Sequence, residues 1–160
     1  MAYARIKQQG FTLIEVMISV AIIAVLLALS SVNFGQSQSA VNVATATDRL
    51  LADIKSQQSL AMAGEMGSAM SAQPHGIFIQ SNQYTLYAAP TFSSGDSNNF
   101  ALSAPSSITF SSTLPGSTLL FDTGSGSVHG FVNGSNTITV SGVGGARTIT
   151  IDRFGATTVN

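Results

Sequence analysis

The apolar residues are concentrated in one segment near the start of the chain, residues 11–29. Within FTLIEVMISVAIIAVLLAL the polar residues are Thr12, Glu15 and Ser19. A helix rises about 1.5 Å per residue, so this segment would span roughly 28 Å, close to the thickness of a bilayer's hydrocarbon core. The pattern predicts a transmembrane helix over residues 11–30.

Beyond this segment the pattern becomes that of an amphipathic helix. Apolar residues recur at spacings of three and four on one face, and charged residues lie mostly on the other. The recurring apolar positions are Leu50, Leu51, Ile54, Ala61 and Met62. The periodicity predicts one helix that continues to about Ala63 and is ended by Gly64.

The second half of the chain has short runs in which apolar and polar residues alternate, as in β-strands with one buried face. The predicted strands are residues 76–80, 84–88, 108–111, 119–122, 137–141, 147–152 and 157–159. Short connections at 81–83 and 142–146 predict hairpins, and the Ser-, Asn- and Gly-rich residues 89–105 predict a long loop. The fold class is therefore α+β, with a long N-terminal α-helix and an antiparallel β-sheet C-terminal head.

Composition narrows the functional classes. Charged residues make up 8% of the 160-residue chain, with six Lys and Arg against seven Asp and Glu, so it is not a broadly basic nucleic-acid binder. There is no cysteine, which excludes disulfides, thiolate metal sites and cysteine nucleophiles. Serine, threonine and glycine are abundant instead, and they predict a surface hydrated by hydroxyl groups.

Three interpretations of the apolar segment are open at this point. It could be a buried core helix, a signal peptide cleaved near Ala28-Leu29-Ser30, or a retained anchor. Glu15 argues against a discarded signal peptide, because a carboxylate in an apolar span costs about 2.5–3.5 kcal/mol on insertion scales. Arg5 and Lys7 precede the segment without any acidic residue, which predicts a cytoplasmic N-terminus and a head outside.

The segment Gly10-Phe11-Thr12-Leu13-Ile14-Glu15, followed by VMISVAIIAVLLAL, resembles the N-terminus of type IV prepilins and type II secretion pseudopilins. The resemblance implies that a prepilin peptidase cleaves after Gly10 and that the new amino group of Phe11 is N-methylated. It also implies that the apolar helix is a single-pass inner-membrane anchor before assembly and the core of a pilus or pseudopilus afterwards. An inner-membrane assembly platform and other pilin or pseudopilin subunits are the implied partners.

Cleavage would give Glu15 a specific task. The cationic terminus at Phe11 of one subunit could pair with Glu15 of a neighbour in a contact shielded from water. Such a pair fixes the register between apolar helices more than it adds stability. Glu15 is therefore the predicted assembly residue.

The head adds a second resemblance. The sequence TITVSGVGGARTITIDRFGATTV near the C-terminus, preceded by LFDTGSGSV, is similar to the GspH/FimT group of minor pseudopilins and minor pilins. This implies a minor subunit; a major pilin that forms the shaft is the alternative, as is a tip pilin that binds DNA or a surface. The predicted segments are a leader at 1–10, the anchor helix at 11–30, the amphipathic helix at 31–63, a linker at 64–75 and the head at 76–160.

Catalytic and ligand-binding motifs are not apparent. The chain has two histidines, His75 and His129, and lacks the sequence signatures of a nucleophile elbow, a zincin helix or a P-loop. We expect no enzymatic activity, cofactor or metal. Arg147 and Arg153 could make weak, salt-sensitive DNA contacts. Loss of two cations from the leader leaves four Lys and Arg against seven Asp and Glu, a net charge of −3, so nucleic acid is an unfavoured partner.

Overall fold

The long helix predicted from the pattern is present as α1, Leu13–Ala63. The computed structural model describes residues 11–66 and 71–160, with the backbone alone for residues 29–40. The chain divides into two units, residues 1–35 and 36–160. The described part of the first unit contains the N-terminal part of α1, and the second contains the rest of α1 and all the described strands.

The described strands form two antiparallel sheets, which confirms the predicted antiparallel β head. Their bounds are β1 (His75–Ile79), β2 (Gln83–Ala88), β3 (Phe100–Ser103), β4 (Ile108–Ser112), β5 (Thr118–Phe121), β6 (Thr137–Gly142), β7 (Gly145–Ile151) and β8 (Thr157–Val159). The first sheet has the order β3-β2-β1-β5, and the second has the order β4-β6-β7-β8. The α+β class and the two predicted hairpins, β1–β2 and β6–β7, are confirmed.

Strand β3 corrects the prediction of a continuous loop over residues 89–105. It pairs with β2 at the edge of the first sheet, where Thr85 lies opposite Ala101 and Leu86 opposite Phe100. Leu102 is its one buried residue. An edge strand with a single inward apolar side chain has too little alternation to be recognised among serines and asparagines.

The core is formed by one stripe of α1 and the inner faces of both sheets. The buried positions on the helix recur at spacings of four, three, four, three and four: Val43, Thr47, Leu50, Ile54, Gln57 and Ala61. From the sheets come alternate strand residues, among them Ile77, Leu119, Phe121, Ile138, Val140, Ile149 and Ile151. Three of the five apolar positions predicted for the inner face are fully buried; Leu51 is half-buried and Met62 is 54% exposed.

Gln58 joins the helix to two loops of the head. Its side-chain amide Nε2 donates to the carbonyl oxygens of Gly126, at 3.0 Å, and Phe154, at 2.8 Å. The next residue, Gly155, has φ +80°, and a Cβ there would collide with the Gln58 amide. Gly155 therefore has to be glycine for two reasons, its left-handed backbone and the approach of Gln58.

Substituting Gly155 with alanine separates these two reasons when Gly134 is the control. Gly134 has φ +84° but nothing within 4 Å of an added Cβ, so Gly134→Ala should cost only the backbone strain of about 1–2 kcal/mol. Gly155→Ala should destabilise the protein by roughly 2 kcal/mol more, because two hydrogen bonds of Gln58 are disrupted as well. Urea unfolding of both variants measures the difference; equal losses would show that the Gln58 contact contributes nothing.

Two tyrosines of β2 are buried in different ways. The Tyr84 hydroxyl donates to Asp53 Oδ2 at 2.5 Å, and burial together with this carboxylate raises the Tyr84 pKa. Tyr87 is 3% exposed, and burial raises its pKa to about 12. Within the described residues its hydroxyl has no hydrogen-bond partner.

These shifts predict a loss of stability in alkali. Between pH 10 and about 12 the unfolded chain ionises Tyr87 while the folded protein keeps it neutral, so the contribution is complete below pH 10 and is lost as the pH rises. Tyr87→Phe should flatten the decline by up to about 1.4 kcal/mol per pH unit in this window. The Tyr84 pKa is raised too, so stability of the Tyr87→Phe variant should still fall with pH, but less steeply than in the wild type. The free energy of unfolding is measured by urea titration at several pH values in this range. If its dependence on pH were the same in the wild type and in Tyr87→Phe, the raised pKa of Tyr87 would be contradicted.

Candidate functional site at the N-terminal end of the helix

The first turn of α1 is closed by a capping box between Thr12 and Glu15. The Glu15 carboxylate oxygen Oε2 accepts from the backbone N–H and the hydroxyl of Thr12, both at 2.9 Å. In return, the Glu15 N–H donates to Thr12 Oγ1 at 3.4 Å. The helix end thus satisfies donors that would otherwise lack partners.

This cap was missed in the sequence, although its signal is present. A threonine followed three residues later by glutamate, just before an apolar run, is the usual signature of a capping box. Glu15 therefore has a structural partner within its own chain, in addition to the role predicted for it between chains.

The third polar residue of the apolar segment is satisfied in the same local way. The Ser19 hydroxyl donates to the backbone carbonyl of Glu15 at 2.7 Å. Thr12, Glu15 and Ser19 thus direct polar atoms toward one another or toward the helix backbone. Burying a polar group costs much less when it is hydrogen-bonded, so this segment can enter an apolar environment without orphaned side chains at these three positions.

The apolar side chains around them are not covered by any of the residues that the structure describes. The large apolar residues from position 11 to position 27 are between 52% and 88% exposed. They are Phe11, Leu13, Ile14, Val16, Met17, Ile18, Val20, Ile22, Ile23, Val25, Leu26 and Leu27. A continuous apolar surface of this extent marks a site of interaction with protein or lipid.

Two of the predicted cleavage and assembly residues are placed by the structure and one is not. Phe11 is 88% exposed, two residues before α1 begins, and Glu15 lies in the first turn of α1. Gly10 and the basic residues before it lie outside the described residues. Within residues 11–66 and 71–160, no helix reaches the length and apolar character needed to cross a membrane.

The two candidate DNA-contacting arginines lie in the C-terminal part of the head. Arg147 is exposed on β7, opposite Val140 of β6. Arg153 is exposed in the turn between β7 and β8, with its guanidinium carbon 5.6 Å from the centroid of the Phe154 ring. The neighbouring Asp152 accepts through Oδ1 from backbone N–H groups of its own turn, at 2.8 and 2.9 Å.

The acidic and histidine residues of the head have local structural partners. His129 Nδ1 lies 2.8 Å from Asp122 Oδ1 in an exposed pair. Asp96 Oδ1 accepts from the backbone and side-chain nitrogens of Asn98, which accounts for the DSNN sequence as a turn. Among the residues that the structure describes, no three His, Cys, Asp or Glu side chains are grouped so as to hold a metal ion.

The N-terminal segment is the part of the chain that matches a known family. Residues 5–31 match the family model of the prokaryotic N-terminal methylation motif. The match supports a type IV pilin-like subunit that is processed by prepilin peptidase, anchored in the membrane before assembly and structural rather than enzymatic. It contains Gly10, Phe11, Thr12, Glu15 and Ser19, and it leaves the head unassigned. No curated protein and no solved structure matches the chain.

Proposed function

We propose that this chain is a structural, non-catalytic subunit of a type IV filament machine, either a type IV pilus or a type II secretion pseudopilus. Within that class it is a minor subunit of the GspH/FimT kind; a major pilin of the shaft is the alternative. Prepilin peptidase cuts after Gly10, and the amino group of Phe11 is methylated. The apolar segment is held in the inner membrane with the head outside until an assembly platform moves it into the filament.

The observation that carries this proposal is the apolar surface of α1 between residues 11 and 27. It is exposed along its whole length in the single chain, and its polar residues are satisfied locally. Such a surface suits a helix that is transferred from lipid to the apolar core of a filament, since both environments exclude water. The head, with its own core in residues 36–160, would remain hydrated on the outside.

Glu15 is proposed to act between subunits as well as within one. In the single chain Thr12 holds its carboxylate at the N-terminal end of the helix, close in sequence to Phe11. After cleavage that end carries a cationic amino group, so a pre-oriented carboxylate could accept the terminus of the adjacent subunit. The pair would set the axial register of helices whose other contacts are non-directional.

Site-specific photo-crosslinking in the native cells tests this assembly. A photoreactive phenylalanine analogue at Ile18, which is 55% exposed on α1, should give a ladder of covalent oligomers. The matched position is Val143, which is 83% exposed in the hairpin between β6 and β7 of the head. It should give little or no ladder.

The same experiment in cells without the prepilin peptidase supplies the control. The Ile18 ladder should disappear there, because uncleaved subunits remain in the membrane. A ladder of equal intensity with and without the peptidase would indicate simple membrane aggregation. Monomer alone at Ile18 in wild-type cells would overturn the proposal.

A further inference from the structure

A cavity lies against the first sheet, and core residues of both sheets, Leu119 and Ile151, are among its lining. Phe78, Tyr87 and Leu120 form part of its lining. Along β1 and β5, Phe78 and Leu120 alternate with core residues such as Ile77 and Leu119, and they therefore point to the opposite face. The connections 90–92, 114–116 and 128–136 supply the walls.

The size and shape of this cavity suit a small molecule. Its volume is about 480 Å³, within the range of roughly 300–1,000 Å³ typical of ligand pockets. Aromatic rings dominate one side: Phe92 stacks on Phe78 with ring centroids 4.1 Å apart, and it meets Tyr87 edge-on at 5.4 Å. Phe131 lines the cavity as well. Flat rings arranged in this way favour an aromatic guest.

The polar groups of the cavity indicate an uncharged guest. No Lys, Arg, Asp or Glu is among the described residues that line it. His129 is among the lining residues, and its Nδ1 lies 2.8 Å from Asp122 Oδ1. The cavity thus offers no charged group that would offset the desolvation of an ionic ligand.

The hydroxyl of Tyr87 is the lining group that is free to donate a hydrogen bond to a ligand. Its side chain is 97% buried (3% exposed), and its hydroxyl is without a hydrogen-bond partner in the described part of the chain. A buried hydroxyl in this state is costly, and a ligand that accepts from it removes the cost. Phe92, on the connection between β2 and β3, contacts the Tyr87 ring. Both side chains are among the residues that line the cavity.

We propose that this cavity binds an uncharged aromatic molecule carrying one hydrogen-bond acceptor, such as a carbonyl oxygen, which accepts a hydrogen bond from the Tyr87 hydroxyl. The ring would lie against Phe78 and Phe131. This activity goes beyond filament assembly, and it can be measured on the unassembled chain, so its failure would leave the filament role intact.

Fluorine NMR with two matched probes tests the proposal on the full chain in lipid nanodiscs, with empty nanodiscs as background. The probes are para-fluoroacetophenone, which has a carbonyl, and para-fluoroethylbenzene, which lacks it. Both should show saturable broadening with the wild-type protein. Tyr87→Phe should weaken the ketone about threefold to tenfold, the effect of one lost hydrogen bond, and leave the hydrocarbon unchanged.

Two tryptophan variants of one loop complete the test. Thr91→Trp places a large ring at a position that lines the cavity, and it should abolish the binding of both probes. Ser93→Trp changes an exposed residue outside the lining and should bind them as the wild type does. The proposal fails if neither probe broadens saturably above background, if Thr91→Trp binds normally, or if Tyr87→Phe weakens both probes equally.

Discussion

A Glu15→Gln protein is expected to be cleaved, methylated and folded normally, yet to form filaments at no more than about a tenth of the wild-type level. Glutamine can still cap the first turn, because Thr-x-x-Gln closes the same box as Thr-x-x-Glu. It cannot pair its side chain with a cationic terminus. Once the pair is buried between subunits, loss of the carboxylate charge leaves the cationic terminus unpaired, so each added subunit should bind at least about tenfold more weakly.

Thr12→Ala is the matched control for this expectation. It removes the hydroxyl that bonds to Glu15 at 2.9 Å and keeps the carboxylate. Loss of an N-cap costs about 1 kcal/mol, so filaments should remain within a few-fold of the wild-type level. Immunoblots of sheared filaments, normalised to the amount of cell-associated subunit, compare the two variants. Normal assembly of Glu15→Gln together with impaired assembly of Thr12→Ala would show that Glu15 acts only as a cap.

An Ile54→Ala protein is expected to lose about 2–5 kcal/mol of head stability, the largest effect that we predict for a single core position. Ile54 is fully buried on the inner stripe of α1, in the cluster that also contains Leu50, Ile77 and Phe121. A loss of this size is a large fraction of the 5–15 kcal/mol typical of a domain. Urea unfolding of the full chain, followed by tyrosine circular dichroism, measures it.

Two variants at or beside this position show whether the loss comes from the cavity. Ile54→Val removes one methyl group and should cost about 0.5–1.5 kcal/mol. Lys55→Ala changes the next residue, which is exposed, and should change stability by less than about 0.5 kcal/mol. If all three variants unfolded at the same urea concentration, this stripe of α1 would not be part of the head's core.

The helix was predictable because its signals are local and repeated. The apolar run and the spacing of Leu50, Ile54 and Ala61 follow the helical period over many turns, and Gly64, with φ +69°, ends the helix as expected. Met62 shows the limit of such a pattern. Met62 lies next to the buried stripe but is exposed. Whether a side chain on the flank of a helix is buried depends on the loops that pack over it, and the helical period does not reveal those loops.

The strands were predictable individually, but their arrangement was not. Seven of the eight strands have enough apolar or alternating character to be located, whereas β3 has one buried residue and was assigned to a loop. The division into two sheets depends on long-range pairing, such as β1 with β5 and β4 with β6. No short sequence signal specifies which distant strands pair.

The contacts of the candidate sites are likewise predictable when they are local in sequence and unpredictable when they are long-range. The Thr12–Glu15 cap lies within four residues and has a sequence signature that could have revealed it. The Gln58 contacts to Gly126 and Phe154 span 68 and 96 residues, so the sequence around Gln58 does not predict them. The cavity beside Tyr87 likewise combines β1, β2, β5 and three connections, and it becomes visible only when the sheet is assembled.

The most direct test of the central claim is the intact mass and N-terminal sequence of the protein isolated from its own cells. The expected result is a mature chain that begins at Phe11 and carries one additional methyl group on its amino nitrogen. A chain that begins at Met1, or one that begins near Ser31 after removal of the whole apolar segment, would contradict it.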